Sequence, residues 1–588
     1  MIDPNIKDPH LEVKEKVDFW HSKLESRLLR FNSMANFYRL LKPTRSADFS
    51  GFSNPQVTET TRATEAIATF IYRALTSAQP NFQFLSKNPM VTQEMLWQAE
   101  SVVEWQKTVT NYNRKLMRGC RSAALFGTLP FEEPWVVNSP YYEATDFCPL
   151  SLLQFAFDPL CFDITLSPWH AKIDYVTEGQ LRTMARQMPD VWDPQAIEEA
   201  IQASQNMKNL SSEVLARMTA AGYQTYSGSG GSNVSHVYQL VTYYGPLKDD
   251  PSGRDWCIGT INDLKTVRLH TSEYKRRPFN VGYMAEFEME PYAYGVGSIA
   301  EQTQPEMNSN QGRIHDVITF SLFNQWLIDR SANIKASQLR IKPWGGIEVD
   351  GNVETAIKAL RPQIEGATVG MNLQDRMEQR FRATTGASDS LQAIVTQATA
   401  TESSIAQTEA VRLLSVRAEL FSESVLREHI SKMHENNQTF LDQPFSIAVT
   451  GQPKPMRIFP SDLAIDVEVA TKIVTDKDFR PQRNKDLLQF LQVVTSIRNQ
   501  NPQMGQVNLE PFVEEFARGV GMNPKNVWAA IPAMPGVIAP PVNAGMGPQA
   551  PTAMDRVSNI QNTMQSVRQS AGELGQAAHS NAMAGIPS

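Results

Sequence analysis

The chain has 588 residues, a formal net charge of -7 and 41% hydrophobic residues. One hydrophobic core rarely supports so many residues, so the length predicts two to four domains. The mild negative charge argues against a dedicated phosphate-binding surface, although it does not exclude nucleic acid that must slide past the protein. No window approaches the length of uninterrupted apolar sequence that a bilayer requires, so we expect no membrane-spanning helix and no membrane partner.

The four cysteines are scattered along the chain, and no two of them have CxxC spacing. This pattern indicates buried thiols in a reducing compartment, without a disulfide framework or a metal knuckle. The N-terminal residues contain no apolar segment of the kind that signal peptides have, so we expect no signal peptide.

The first part of the chain is predicted to be largely helical. Apolar residues at helical spacing predict a helix over 11–41, and a second helix begins at Thr58 and ends ahead of Pro80. A third, long helix is expected from about Thr92 to Leu125.

Between residues 134 and 290 the hydrophobic period changes. Short runs rich in β-branched and aromatic residues predict strands over 134–176, and helical patterns return over 177–226. The sequence SGSGGSNVS at 227–235 indicates a flexible connector. Strands are predicted to resume after it and to continue to about residue 290.

Helices dominate again in the following part of the chain. We expect a second long helix over 298–334 and a short β-like insert with turns over 336–370. A shorter charged helix is predicted to follow over 372–381.

The longest predicted helix follows a stretch that is almost without charge. Asp389 is the only ionisable residue between Arg382 and Glu402. The helix contains neither Gly nor Pro and would continue for roughly thirty-five residues, far above the globular mean of about 11–12. A helix with two apolar stripes has two partners, so it is either a central strut in a large domain or a strut between subunits. One stripe comprises Ala410, Val411, Leu414, Ala418, Phe421 and Val425, and the other comprises Leu413, Val416 and Leu420.

After Pro444 we expect short strands, followed by helices at about 481–499 and 509–520. The tail beyond residue 534 is rich in Pro, Gly and Ala. Within it, apolar residues alternate spacings of three and four over less than three heptads, as in a coiled coil. The tail is therefore either a linker to a self-associating helix or a disordered segment with accidental spacing. The spaced residues are Val557, Ile560, Met564, Val567, Ala571 and Leu574.

Motifs that carry catalytic chemistry are missing from the sequence. It contains no GxxxxGK[ST] phosphate loop and no GxSxG nucleophile elbow. His434-Glu435 begins like a zinc-protease motif, but Gln438 occupies the place of the second histidine. We therefore expect no enzymatic activity and no cofactor or metal.

Several titratable side chains are interpreted as solvated rather than functional. Adjacent carboxylates are more typical of loop surfaces than of acid–base pairs, and two histidines near the edges of one helix face are more typical of solvent exposure. These residues are Glu132-Glu133, Asp249-Asp250, His429 and His434.

Five segments occur in a characteristic order. They are NPQVTETTRATEAIATFIYRALTSAQPNFQF, FAFDPLCFDITLSPWHAKIDYVTEGQLRTM, YYGPLKDDP with the strands after it, YAYGVGSIAEQTQPEMNSNQGRIHDVITFSLFN and TQATATESSIAQTEAVRLLSVRAELFSESVLREHI. In this order they resemble the portal (head-to-tail connector) proteins of tailed bacteriophages, especially of short-tailed phages. The last two are the most telling, since they are similar to the family's Tyr-Gly-x-Gly turn with its stem helix and to its long wing helix. The resemblance covers about residues 15–500 and depends on order and spacing rather than on one specific motif.

The resemblance implies a mixed, mainly α, portal-type fold that assembles as a ring. Its parts are a helical wing, two stem helices, a small β-containing clip, a long wing helix and a helical crown. It assigns 1–297 to the wing (a helical N-terminal part, then a β-rich part), 298–335 to the first stem helix, 336–371 to the clip, 372–386 to the second stem helix, 387–400 to a tunnel loop, 401–479 to the long wing helix and wing strands, 480–533 to the crown, and 534–588 to a Pro/Gly/Ala-rich linker with a candidate C-terminal barrel helix.

The resemblance also implies a function. The ring, usually of twelve subunits, would be assembled in the host cytoplasm and would stand at a single vertex of the capsid in the virion. Double-stranded DNA would pass through it non-specifically during packaging and ejection. Its protein partners would be the major capsid and scaffolding proteins, the large subunit of the terminase and tail adaptor proteins.

Candidate site residues follow from this scheme. A channel loop should not hold phosphates, because each Lys or Arg contact adds a salt-dependent grip on DNA, and the low charge before residue 402 agrees with this. Candidate tunnel-loop residues are Ser388, Ser390, Gln392, Thr396, Gln397 and Thr399, and candidate subunit-packing residues are Leu414, Ala418, Phe421 and Val425. The alternative is an internal or adaptor structural protein of the virion without a DNA-sized channel. A hydrolase with a non-standard site is a third interpretation.

Overall fold

The structure, a computed structural model, describes ten ranges of the chain that all belong to one compact unit. These ranges are 8–42, 51–77, 80–138, 142–204, 237–322, 325–328, 357–360, 365–387, 413–447 and 456–471. Within them, no helix is both long and apolar enough to cross a membrane. The predictions for the connector at 227–235, the tunnel-loop residues from Ser388 onward, the crown helices and the tail lie outside the described residues.

Helices form the N-terminal part, as the spacing of its apolar residues predicts. They are α1 (Pro9–Tyr38), α2 (Glu59–Thr76), α3 (Gln93–Val109) and α4 (Tyr112–Phe126). The single helix expected over 92–125 is wrong, because the chain turns at Asn111, whose φ of 55° lies in the left-handed region. Gly127, with a φ of 82°, ends α4 in the same conformation, which glycine adopts without steric cost.

Among the described residues between 80 and 283 there are eleven strands, and two further helices lie between the seventh and the eighth of them. The strands are β1 (Phe82–Leu85), β2 (Thr128–Glu132), β3 (Trp135–Asn138), β4 (Tyr142–Thr145), β5 (Cys148–Pro149), β6 (Phe155–Phe157), β7 (His170–Thr177), β8 (Val237–Gly245), β9 (Trp256–Ile261), β10 (Lys265–Thr271) and β11 (Phe279–Tyr283), and the helices are α5 (Glu178–Gln187) and α6 (Pro194–Ser204). The sequence patterns did not predict β1 and β2. The strand expected in CFDITL is wrong, because that run contains the short 3-10 helix Ile164–Leu166.

The largest sheet is antiparallel and has the strand order β10-β9-β8-β7-β6. Successive side chains of a strand point to opposite faces, and β8 uses both faces. Val241 and Tyr243 pack in a cluster with α1. Tyr238 and Leu240 pack in a second cluster with α5 and α6. A smaller sheet has the order β11-β2-β5. Its Phe279 and Val281 pack in the cluster with α1, and its Leu129 and Phe131 pack in a core with α2 and α4.

A helical hairpin comes next, formed by α7 (Val296–Leu322) and α8 (Glu365–Thr385). It is tipped by the antiparallel pair β12 (Gln325–Ile328) and β13 (Ile357–Leu360). The helix predicted to reach residue 334 therefore ends twelve residues earlier, because the apolar run after it pairs as a strand. The helix predicted to begin at 372 begins at Glu365.

We use the name long helix for the described range 413–440. It is α-helical over 413–421, π-helical over Ser422–Arg427 and α-helical over Glu428–Phe440. The chain then forms β14 (Phe445–Ile447), β15 (Met456–Ile458), the short helix Pro460–Leu463 and β16 (Glu468–Thr471). Strands expected after Pro444 are thus confirmed, and β16 pairs with β1. Helix exceeds strand in this mixed architecture, whereas the ring and the portal-type arrangement stay predictions.

Candidate subunit interface on the long helix

One face of the long helix, which we call the inner face, is enclosed by its own chain. It packs in a core with residues of α2, α3, α4 and β2. The four residues predicted to pack against a neighbouring subunit are fully covered here, so the surface open to a neighbour is a different one. The inner face comprises Leu414, Ala418, Phe421, Val425, Leu426, Ile430 and Met433, each 0% exposed.

The π-helical turn of the long helix lies where the helix crosses β11. A Cβ atom on Gly282 of this strand would collide with the Cγ2 atom of Val425, so the strand backbone approaches the helix directly. The Ser424 hydroxyl accepts a hydrogen bond from the backbone amide of Tyr283 at 3.1 Å. Single π turns inside α-helices are often found at functional sites. Here the turn fits the helix to a strand.

A buried carboxylate joins the inner face to the end of β2. Glu133 and His429 are 0% and 1% exposed, and His429 Nδ1 donates to Glu133 Oε1 at 2.7 Å. The other carboxylate oxygen accepts from Asn280 Nδ2 at 2.5 Å. The imidazole stacks on the ring of Tyr112 with centroids 5.1 Å apart. The interpretation of Glu133 and His429 as solvated is therefore wrong, because two elements distant in sequence enclose them together.

Glu132 is also buried, and its carboxylate points to the large sheet. It accepts a hydrogen bond from Lys172 Nζ at 2.7 Å, and Lys172 also pairs with Asp174 at 2.9 Å. Burial raises the pKa of Glu132, while the Lys172 ammonium opposes that rise. The two adjacent glutamates thus bind different partners: Glu132 binds Lys172 in the sheet, and Glu133 binds His429 on the long helix. The expectation of solvated loop charge is wrong for both members.

A lysine and a second histidine complete the polar part of the inner face. Lys432 is 1% exposed and donates to the backbone oxygen of Arg276. Burial lowers the pKa of Lys432 to about 8, although Glu133 partly offsets this. The ring of His434 is buried, shares a hydrogen bond of 2.9 Å with the Ile465 oxygen and packs on Phe84. The prediction of a solvated His434 is wrong as well.

The opposite side of the long helix, its outer face, carries the second apolar stripe. Leu413, Val416 and Leu420 are 45%, 51% and 49% exposed. Single exposed apolar residues are ordinary, but these three are consecutive members of one stripe. The two-stripe pattern predicted from the sequence is present, and one stripe lies open.

A groove of about 1180 Å³ adjoins this outer face. Its walls are β11, the chain around residues 285–293, the loop before β7 and the side of the long helix from Leu420 onward. Phe287 and Met289 on its rim are 62% and 72% exposed. The groove shares Leu420 with the outer stripe, and its lining contains both apolar and charged side chains.

The chain on either side of 388–412 meets at one point, which we call the loop base. The Arg417 guanidinium donates to the backbone oxygen of Thr385, the last residue of α8, at 3.3 Å. Gly386, with a φ of 78°, lies against Leu413. One turn earlier on α8, Arg382 forms two hydrogen bonds of 2.9 and 3.0 Å with the carboxylate of Glu59 on α2. Thus segment 388–412 begins and ends at the same place.

The chemistry available elsewhere is limited. Within the described ranges, no group of three or more His, Cys, Asp or Glu residues could hold a metal ion. One sequence signal could have revealed the buried Glu133. The two glutamates stand between the apolar runs LPF and PWVV, and a carboxylate enclosed by such runs needs a partner. The chain matches no protein-family model and no curated protein.

Proposed function

We propose that this chain is the subunit of a ring-shaped portal through which double-stranded DNA enters and leaves a phage capsid. The observation that carries the proposal is the loop base. The residues on either side of segment 388–412 are in contact, so this segment joins no distant elements, and its first part is almost uncharged. Such a segment suits contact with DNA that must keep moving.

Two further observations support a ring. The open apolar stripe of the long helix leaves a surface for a second copy, whereas the inner face fixes the helix within its own subunit. The hairpin of α7 and α8, with its pair of short strands, supports the proposal of two stem helices joined by a β-containing clip. On this proposal the large subunit of the terminase supplies the energy for packaging, and tail adaptors and capsid and scaffolding proteins bind the ring.

Electron microscopy of the purified full chain in low and high salt tests the proposal. We expect rings with a central opening wide enough for duplex DNA. Particles that stay monomeric in every salt condition would contradict the proposal. Rings whose opening is too narrow for duplex DNA would favour the alternative, a non-channel structural or adaptor protein of the virion.

The tunnel-loop assignment has a separate test in Gln392 and Gln397. Changing both residues to Lys should slow DNA packaging and ejection without preventing ring assembly, because each new ammonium can hold a phosphate. The matched control is Gln392→Asn with Gln397→Asn, which changes length without adding charge. Equal packaging rates for the Lys and Asn variants would show that these residues do not face DNA.

A further inference from the structure

The outer edge of α8 carries a stripe that is apolar at one end and basic at the other. Val369, Leu373, Arg376 and Arg380 follow one another at spacings of four, three and four, which places them on one side of the helix. Val369 and Leu373 are 68% and 49% exposed, and both arginines are exposed. Neither guanidinium pairs with an acidic residue among those the structure describes.

The groove beside the long helix has a complementary pattern, in which apolar residues lie next to acidic ones. Its apolar rim is formed by Leu420, Phe287 and Met289. Beside this rim stand Glu423 and Glu286, which are exposed and have no basic partner within the described ranges.

Most of the other charges that line the groove are already paired within the chain. Among the described residues, Asp163 binds only Thr165, and Lys432 donates to a backbone oxygen. Arg277 binds Asp255 through two hydrogen bonds of 2.8 and 3.0 Å. Arg276 contacts Glu428 at 3.1 Å. Glu290, which lines the groove, contacts Arg27, which lies outside the lining, at 2.8 Å. Glu423 and Glu286 therefore give the groove a surplus of negative charge.

We propose that the α8 edge of one subunit docks in the groove of a second copy of this chain. Val369 and Leu373 would cover Leu420, Phe287 and Met289, and the two arginines would face Glu423 and Glu286. The inference rests on the proposed ring and names the surfaces that join its subunits. Because two different surfaces meet, each subunit can bind the next one in the same way, and such a contact closes into a ring when the rotation allows.

Charge reversal tests this assignment in the full chain. We expect Arg376→Glu with Arg380→Glu to raise the protein concentration needed for ring formation at least tenfold, because two attractions become two repulsions. Glu286→Arg with Glu423→Arg should do the same. The variant that combines all four changes should form rings at nearly the wild-type concentration. Mass photometry over a concentration series, with thermal melts to confirm folding, gives these values.

The matched control is Arg114→Glu with Arg118→Glu, which reverses two exposed arginines at the same spacing on α4. This variant should assemble as the wild type does. Rings that persist in both reversed variants, or a combined variant that stays dissociated, would overturn the pairing while leaving the portal proposal intact. A wild-type chain that forms no rings would refute the portal proposal and the docking together.

Discussion

The inner and outer faces of the long helix have similar apolar side chains but differ in solvent exposure. Leu414, Phe421 and Val425 are completely buried, whereas Leu413, Val416 and Leu420, each only a few residues away, remain about half exposed. The inner face also encloses charged groups, whereas the three stripe residues of the outer face are apolar. Apolar spacing therefore shows that a helix has two apolar sides, but it does not show which of them its own chain covers.

The largest expected effect concerns the buried carboxylate of the inner face. Glu133→Ala leaves the buried His429 without its acceptor and removes an acceptor of the half-buried Asn280, so we expect a loss of about 3–5 kcal/mol in the free energy of unfolding. Asp249→Ala, in the exposed acidic pair, should change it by less than about 0.5 kcal/mol. Urea unfolding of both variants measures the difference. Equal small losses would mean that Glu133 is not enclosed as described.

Truncation of apolar side chains compares the two faces directly. We expect Leu414→Ala and Phe421→Ala each to cost about 2–5 kcal/mol, because a cavity remains in a packed core. Leu413→Ala and Leu420→Ala should cost less than about 1 kcal/mol in the dissociated subunit, since half of each side chain is already in water. Denaturant unfolding below the assembly concentration gives all four values, and similar costs on both faces would contradict the assignment.

Lys432 sharpens the comparison through pH. Burial holds its pKa at about 8 in the folded chain, below the ordinary lysine value of 10.5. Below pH 8 Lys432 is protonated in both the folded and the unfolded chain, and the cost of burying the ammonium is present in full. Between pH 8 and pH 10.5 Lys432 has released its proton in the folded chain but retains it in the unfolded chain, so the free energy of unfolding rises with pH.

The size of this rise follows from the shift in pKa. It amounts to about 3 kcal/mol across the window, at 1.36 kcal/mol per unit. Lys432→Met should remove it, so wild type should gain about 3 kcal/mol relative to the variant as pH increases from 8 to 10.5. The comparison needs urea unfolding of both proteins at several pH values. A constant difference would show that the amine is solvated in the folded chain.

The smallest effect on folding is expected at the outer face. Leu413→Ser, Val416→Ser and Leu420→Ser combined should leave the melting of the dissociated subunit nearly unchanged but should raise the concentration needed for ring formation about tenfold. Dissociation exposes the apolar area of the stripe to water, and the serine variant has less apolar area to expose, so its ring is less favoured. Sedimentation of the triple variant beside wild type measures this. Unaltered assembly would show that a neighbouring subunit does not cover the stripe.

Several features were predictable because they depend on neighbours in sequence. The helices near the N-terminus, the strands after Pro444 and the two stripes of the long helix follow from periodicity within one element. The break at Asn111 was missed because the apolar spacing continues across it. The early end of α7 was missed because the run at 325–328 becomes a strand only by pairing with β13.

The burial of Glu132, Glu133, His429 and His434 shows what the sequence alone does not decide. A carboxylate or imidazole is stable in a core when it has a partner, and the partner of Glu133 is 296 positions away in the chain. Local pattern determined that the long helix has two apolar sides and that little charge precedes it. Tertiary structure decided which side its own chain covers, which charges are paired, and where the ends of segment 388–412 meet. These outcomes depend on contacts between distant elements, and such contacts leave no periodic signal in the sequence.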